Sequence, residues 1–301
     1  MELRARYLEH AIREDALADK KMAFISGPRQ VGKSTLAKAL LSNVDANYFT
    51  WDDGTFRRAW SRDPVLALQH RGSGPVALDE LHKDRRWKSR LKGLYDLRGD
   101  TIPLIVTGSA RMDLYRRGGD SLMGRYFPYR LHPLTIAESD RPCGPDQAHS
   151  KTQTNLKWAD LLSLGGFPEP LFAGNEAKAR RWSALRTERL VMEDIRDLRA
   201  VSNLSALRVL TDLIPGTVGS PLSINALKED VGAAYATVRD WVHTLEALYF
   251  CFLVPPYARR IRRALRSAPK LYLFDSLKIP ETAQRQENLV ALALLKCAHF
   301  W

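Results

Sequence analysis

The sequence predicts an α/β protein in which a three-layer α/β/α domain leads and a mainly helical part follows. Three observations predict it. Met22-Ala23-Phe24-Ile25 is an apolar run suited to a buried strand, and a glycine-bearing loop and then good helix formers follow it directly. Further on, the turn residues Gly72-Ser73-Gly74 precede Pro75-Val76-Ala77-Leu78, an apolar run that ends in Asp79 and Glu80. A third run, from Thr101 to Thr107, ends in the hydroxyls of Thr107 and Ser109.

The loop after the first run reads Gly27-Pro28-Arg29-Gln30-Val31-Gly32-Lys33-Ser34, followed by Thr35, and satisfies the pattern G-x-x-x-x-G-K-[ST]. Its chemistry needs these residue types. Gly27 and Gly32 let the backbone curl so that its N–H groups face phosphate oxygens, and the following helix adds the positive end of its dipole. Lys33 reaches the β- and γ-phosphates, and Ser34 holds Mg²⁺. The expected ligand is therefore ATP with Mg²⁺, bound in a P-loop from Gly27 to Thr35.

Asp79 is placed to share the Mg²⁺ shell with Ser34. Glu80 follows it and is expected to polarise the attacking water. The tip of the third strand is expected to orient that water, with Ser109 the first choice and Thr107 the second. An ordinary polar strand end is the plainer reading of that tip.

From Ser139 to Asn155 the chain is polar, with two prolines, and reads as a linker or long loop. Leu156 to Leu213 reads as helices, with Trp182, Leu185, Arg189, Met192 and Ile195 at three- and four-residue spacing as the expected core stripe. The Leu222–Gly232 segment and the segment from Tyr235 to Tyr249 look like a helix-turn-helix, and Phe250–Val254 like a wing strand. Tyr235, Thr237 and Arg239 then face outward, where a DNA groove would meet them. Arg259, Arg260, Arg262 and Arg263 lie in a segment with five arginines, Ala258–Arg266, a phosphate-seeking patch. Contact of these arginines with acidic protein surface is the competing reading.

The chain of 301 residues carries a formal net charge of +12, which favours an acidic partner such as nucleic acid or an anionic surface; a solvated basic surface is the alternative. Cys143, Cys251 and Cys297 show no zinc spacing, and their odd number and scatter suit a reducing cytoplasm. The charged N-terminus MELRARYLEHAIRED has no apolar h-region, and no apolar run approaches the ~18 residues of a membrane span, so neither a signal peptide nor a membrane partner is expected.

Taken together, GPRQVGKSTL, LDELHK with Trp87 after it, IVTGSARMDL, the stretch Ser121-Leu122-Met123-Gly124-Arg125 and LHPLTIAE resemble the bacterial and archaeal AAA-type ATPases that carry a C-terminal domain of unknown function. The resemblance continues through Gly165-Gly166-Phe167-Pro168-Glu169, TVRDWVHTLEALYFCFLVPPY and PKLYLFD. It implies an AAA-type P-loop ATPase domain over 1–140, a linker over 141–155, a helical lid over 156–213, a winged helix over 214–268 and the start of an incomplete nuclease-like module over 269–301. It also implies that Arg125 supplies charge to the γ-phosphate from its own or a neighbouring subunit, the latter in a homo-oligomer; a structural ion pair is the other reading of Arg125. Gly166 and Pro168 resemble the glycine–proline turn by which related lids touch adenine. Arg29 and Arg111 are further phosphate neighbours in this reading. No acidic-x-lysine pair follows the last helix, so no nuclease activity is inferred.

Overall fold

The computed structural model describes residues 6–99, 101–108, 122–138, 156–195, 203–257 and 267–300. They fall into two compact units, one built on Met1–His132 with Glu138–Thr154 and one on Pro133–Ala137 with Asn155–His299. Ser109, Arg111, the linker over 141–155 and Arg259, Arg260, Arg262 and Arg263 lie outside the described residues.

In the first unit five strands form one sheet: β1 (Met22–Ser26), β2 (Tyr48–Thr50), β3 (Val76–Asp79), β4 (Leu104–Thr107) and β5 (Tyr126–Arg130), in the order β2-β3-β4-β1-β5. Every pairing is parallel. β1, β3 and β4 are buried along their whole length, as strands covered on both faces must be. This explains their continuous apolar runs. One face packs Met22, Phe24, Leu78 and Val106 with Phe56, Trp60, Trp87 and Leu91. Phe24 stacks on Tyr126 at 4.3 Å between ring centroids.

The order places β4 between β1 and β3, so the ends of all three strands meet at one edge of the sheet. Both outer strands are poor templates for further pairing. β2 has three residues, and β5 carries Pro128, which lacks the N–H that a ladder needs.

The second unit contains helices Trp158–Leu164, Pro168–Ala173, Glu176–Arg189, Leu204–Leu213, Ile224–Val231, Tyr235–Ala247 and Thr282–Phe300. Ile224–Val231 ends at Gly232, whose φ of 70° makes the turn into Tyr235–Ala247. β6 (Cys251–Val254) and β7 (Lys270–Leu273) then form an antiparallel ribbon.

Two expectations are corrected here. The segment expected to open a separate module at residue 269 instead completes this ribbon. Its strand is pinned to helix Thr282–Phe300 by Asn288, whose side chain accepts from Leu273 N at 2.7 Å and donates to Leu273 O at 2.9 Å. The expected stripe on Glu176–Arg189 is also displaced. Leu185 and Met192 are exposed, and the buried face is Ala179, Ser183, Arg186 and Thr187. Polar side chains occupy it because they have partners inside: Ser183 Oγ donates to Asp275 at 2.7 Å, and the Arg186 guanidinium lies 4.2 Å from the centre of the Phe167 ring.

Candidate functional site

The site is built at the C-terminal edge of the first unit's sheet. Gly27 leaves β1 with φ 147°, and a Cβ there would collide with the Leu131 carbonyl, so only glycine fits. Gln30 and Gly32 also take positive φ, 63° and 100°, which curls the loop into the start of helix Lys33–Ala39. Pro28 and Val31 are buried, whereas Arg29, Gln30 and Thr35 are exposed. Lys33 is buried, and its ammonium donates to the carbonyls of Gly27 at 3.1 Å and Pro28 at 2.8 Å. The cation is thus held across the mouth of the loop.

Arg6 braces the loop from behind. Its guanidinium donates to Val31 O at 3.0 Å, His132 O at 2.6 Å and Glu138 at 2.9 Å. Glu138 is fully buried and the Arg6 side chain is 9% exposed.

Asp79 ends β3 opposite Ser34, whose hydroxyl donates to its carboxylate at 2.9 Å. Two further hydroxyls bond the same carboxylate. Thr107, at the end of β4, donates to Oδ1, and Tyr48, in β2, donates to Oδ2. Burial, followed by the bond to Asp79, raises the Tyr48 pKa well above the ordinary tyrosine range and keeps it a donor. Hard oxygens of a hydroxyl and a carboxylate at this spacing fit Mg²⁺, which takes one or two protein ligands and keeps waters and phosphate oxygens for the rest. No cluster of three His, Cys, Asp or Glu side chains suited to a metal occurs among the described residues.

Glu80 sits just past the strand in the left-handed region, φ 57°. Few residues other than glycine adopt that conformation, and it is concentrated at functional sites. Burial raises the Glu80 pKa; the positive charges of Lys33, Lys83 and Arg29 oppose the shift. Lys83 Nζ lies 3.5 Å and His82 Nε2 3.7 Å from its carboxylate, and Lys83 also pairs with Asp52 at 2.7 Å.

Arg125 lies elsewhere in the first unit. Arg125 immediately precedes β5, where its carbonyl accepts from Met22 N at 2.9 Å. That is the edge opposite the loop, about 16 Å of strand from Gly27 at ~3.3 Å per residue. Its guanidinium pairs with Asp96 at 2.7 Å. Arg125 therefore does not face the phosphate loop of its own chain. Gly166 and Pro168 belong to the second unit. Gly166 O accepts from Leu134 N at 2.7 Å, a Cβ on Gly166 would strike the Leu134 carbonyl, and Pro168 opens helix Pro168–Ala173. Phe167 is buried against Trp182, 5.0 Å between ring centroids. Arg239 is exposed beside Asp240 at 3.2 Å.

Residues 19–139 match the family described as AAA domain, and residues 155–276 match one described as Domain of unknown function (DUF8612). The parallel strand order and the loop agree with the first of these matches and give the first unit a P-loop α/β/α fold. Among solved structures, the chain is similar to the Orc1 protein of Aeropyrum pernix in complex with DNA at 14% identity and a TM-score of 0.39, covering 98% of this chain and 95% of that one. The Thermotoga maritima RuvB Holliday junction branch migration motor gives 15%, 0.39, 88% and 95% in the same order. A STAND protein with a tetratricopeptide repeat sensor from Pyrococcus horikoshii gives 13%, 0.34, 96% and 45%. No curated protein matches the chain. No helix among the described residues is long and apolar enough to cross a membrane.

Proposed function

We propose that the chain hydrolyses ATP to ADP and phosphate and couples its nucleotide state to a nucleic-acid-associated task. The observation that carries the hydrolytic part is the juxtaposition of Ser34 with Asp79, beside a Glu80 turned out of the strand. The loop amides and Lys33 neutralise the phosphates. Ser34 and Asp79 are the residues that would hold Mg²⁺, which supplies positive charge to the β- and γ-phosphate oxygens. Glu80 orients the attacking water and takes its proton, the new P–O bond forms on the γ-phosphorus, and the bond to the ADP oxygen breaks. Thr107 holds Asp79; Ser109, beyond it, retains the water-orienting role proposed from the sequence.

The nucleic-acid part is supported by charge. Arg57, Arg58 and Arg62 on helix Gly54–Arg62, and Arg85 and Arg86 after β3, are all exposed, and none has an ion pair among the described residues. Bonds from Trp60 to Asp84 at 3.2 Å and from Arg90 to Ser61 O at 3.0 Å tie the two segments together. In the second unit, the turn at Gly232 and the β6–β7 ribbon support a winged-helix reading, with Arg239 and the Ala258–Arg266 arginines as phosphate contacts. Gly166 and Pro168 as an adenine-facing lid, Arg125 as a finger from a neighbouring copy, and a cytoplasmic homo-oligomer complete the proposal.

A second reading, a nucleotide-switched signalling or scaffold protein without DNA, is favoured by one observation. Glu80 has Lys83 and His82 beside it, partners that compete with water and suit slow turnover. Phosphate release measured with and without DNA separates the two. Glu80→Gln is expected to bind ATP with Mg²⁺ as tightly as the unaltered chain while losing turnover, whereas Lys33→Ala loses tight binding. Near-normal phosphate release by Glu80→Gln removes Glu80 from the mechanism.

A further inference from the structure

We propose that Tyr48 is a positioning residue for the Asp79 carboxylate and thereby sets how tightly Mg²⁺ is held with the nucleotide. The proposal rests on the reading of Ser34 and Asp79 as the Mg²⁺-holding pair.

A carboxylate offers about four lone-pair directions. In Asp79, Oδ1 receives Thr107 and Oδ2 receives both Ser34 and Tyr48. Ser34 belongs to the phosphate loop, so its bond serves the loop and the metal together. The other two donors come from the strands on either side of β3. β4 supplies Thr107 and β2 supplies Tyr48. Each carboxylate oxygen is thus gripped from one flanking strand, which fixes the plane of the group rather than merely its position.

Tyr48 reaches this point because of register. It pairs with Ala77, two residues before Asp79 on the same face of the sheet, and a phenol is long enough to span the remaining distance. Its ring also lies 4.3 Å below the ammonium of Lys38, on the helix that Lys33 begins. The side chain is therefore held between the strand that carries the acid and the helix that carries the loop. A tyrosine that only filled the core would leave its hydroxyl on a backbone or solvent partner. This one directs it to the carboxylate facing Ser34.

Outer-shell partners of a metal ligand typically contribute about 10–100-fold to metal affinity. The test uses the full chain and Tyr48→Phe, which keeps the ring and removes one oxygen. Binding of a fluorescent, non-hydrolysable ATP analogue is followed while free Mg²⁺ is titrated, so turnover plays no part. The expected result is a Mg²⁺ midpoint raised about tenfold or more, with a much smaller change of nucleotide affinity in EDTA, because the loop residue that Tyr48 meets is Ser34, on the metal side of the site. Thr107→Val, which loosens the other oxygen, is expected to move the midpoint in the same direction. If Tyr48→Phe shifts only the melting temperature and leaves the Mg²⁺ midpoint in place, Tyr48 is a packing residue and the proposal is wrong. A wild type whose nucleotide binding ignores Mg²⁺ overturns the reading of Ser34 and Asp79 and this proposal with it. A responsive wild type with an identical Tyr48→Phe titration overturns this proposal alone.

Discussion

Replacing Arg6 by alanine removes the brace behind the phosphate loop, and its cost can be worked from the contacts. The Arg6–Glu138 pair is enclosed: the two side chains are 9% and 0% exposed, with a 2.9 Å bond between them. Removing one partner of a buried pair costs about 3–5 kcal/mol, because the remaining charge has lost its compensation. Two carbonyls, of Val31 and His132, lose a charged donor as well, but neighbouring losses do not add. A total of about 4 kcal/mol follows, against about 0–1 for an exposed pair. In a domain of this size each kcal/mol moves the melting temperature by roughly 2–4 °C, so a fall of about 8–16 °C is expected. Thermal unfolding of Arg6→Ala, with nucleotide affinity measured on the same sample, is the assay. The companion is Arg6→Leu with Glu138→Leu, which removes both charges and is expected to recover much of the stability. Nucleotide affinity stays low in both, since Val31 has lost its tether. A loss under about 1 kcal/mol for Arg6→Ala would refute the reasoning by showing that the pair behaves as a surface contact.

Three other outcomes are expected. The Glu80 pKa is raised in the fold, so its contribution is favourable at low pH and is lost as pH rises through the folded value; Glu80→Gln should therefore melt higher than the unaltered chain, by more at pH 8 than at pH 5, in a thermal scan across pH. Changing Arg57, Arg58, Arg62, Arg85 and Arg86 to glutamine should lower the log–log salt slope of duplex DNA binding by about 0.9 for each phosphate no longer neutralised, and an unchanged slope would clear this surface of a role. Mixing Arg125→Ala with Lys33→Ala should restore part of the phosphate release if Arg125 serves a neighbouring copy; no recovery under confirmed subunit exchange would remove it from the mechanism.

The loop and the acid pair are legible in the sequence because their chemistry fixes both residue type and spacing. Glycine is needed at Gly27, where a Cβ has no room, and suits Gly32 at φ 100°, and a metal-side carboxylate is needed where β3 ends beside the loop. The left-handed Glu80 is not legible, since nothing in its residue type announces that backbone. Tyr48 escapes a sequence reading because a tyrosine in a short strand is an ordinary strand former, and only register shows that its hydroxyl reaches Asp79. Arg6 escapes it because a charged N-terminal stretch reads as solvated. Arg125 is different. A residue that immediately precedes a strand parallel to β1 must lie at the far edge from the loop, so strand direction alone argues against a role toward its own nucleotide. On Glu176–Arg189, counting apolar spacing fails because the buried face is held by Ser183 and Arg186, whose value lies in partners remote in sequence.

The blunted borders of the sheet limit how copies of the chain can associate. Three-residue β2 on one side offers too short a run of free backbone groups to recruit a strand, and the pyrrolidine ring of Pro128 interrupts the other. Growth of the sheet from one molecule into the next is therefore disfavoured at both ends. Copies that meet through the first unit are then left to associate by side chains across helices and loops, contacts that a bound nucleotide can tune and that can be undone without tearing a backbone ladder.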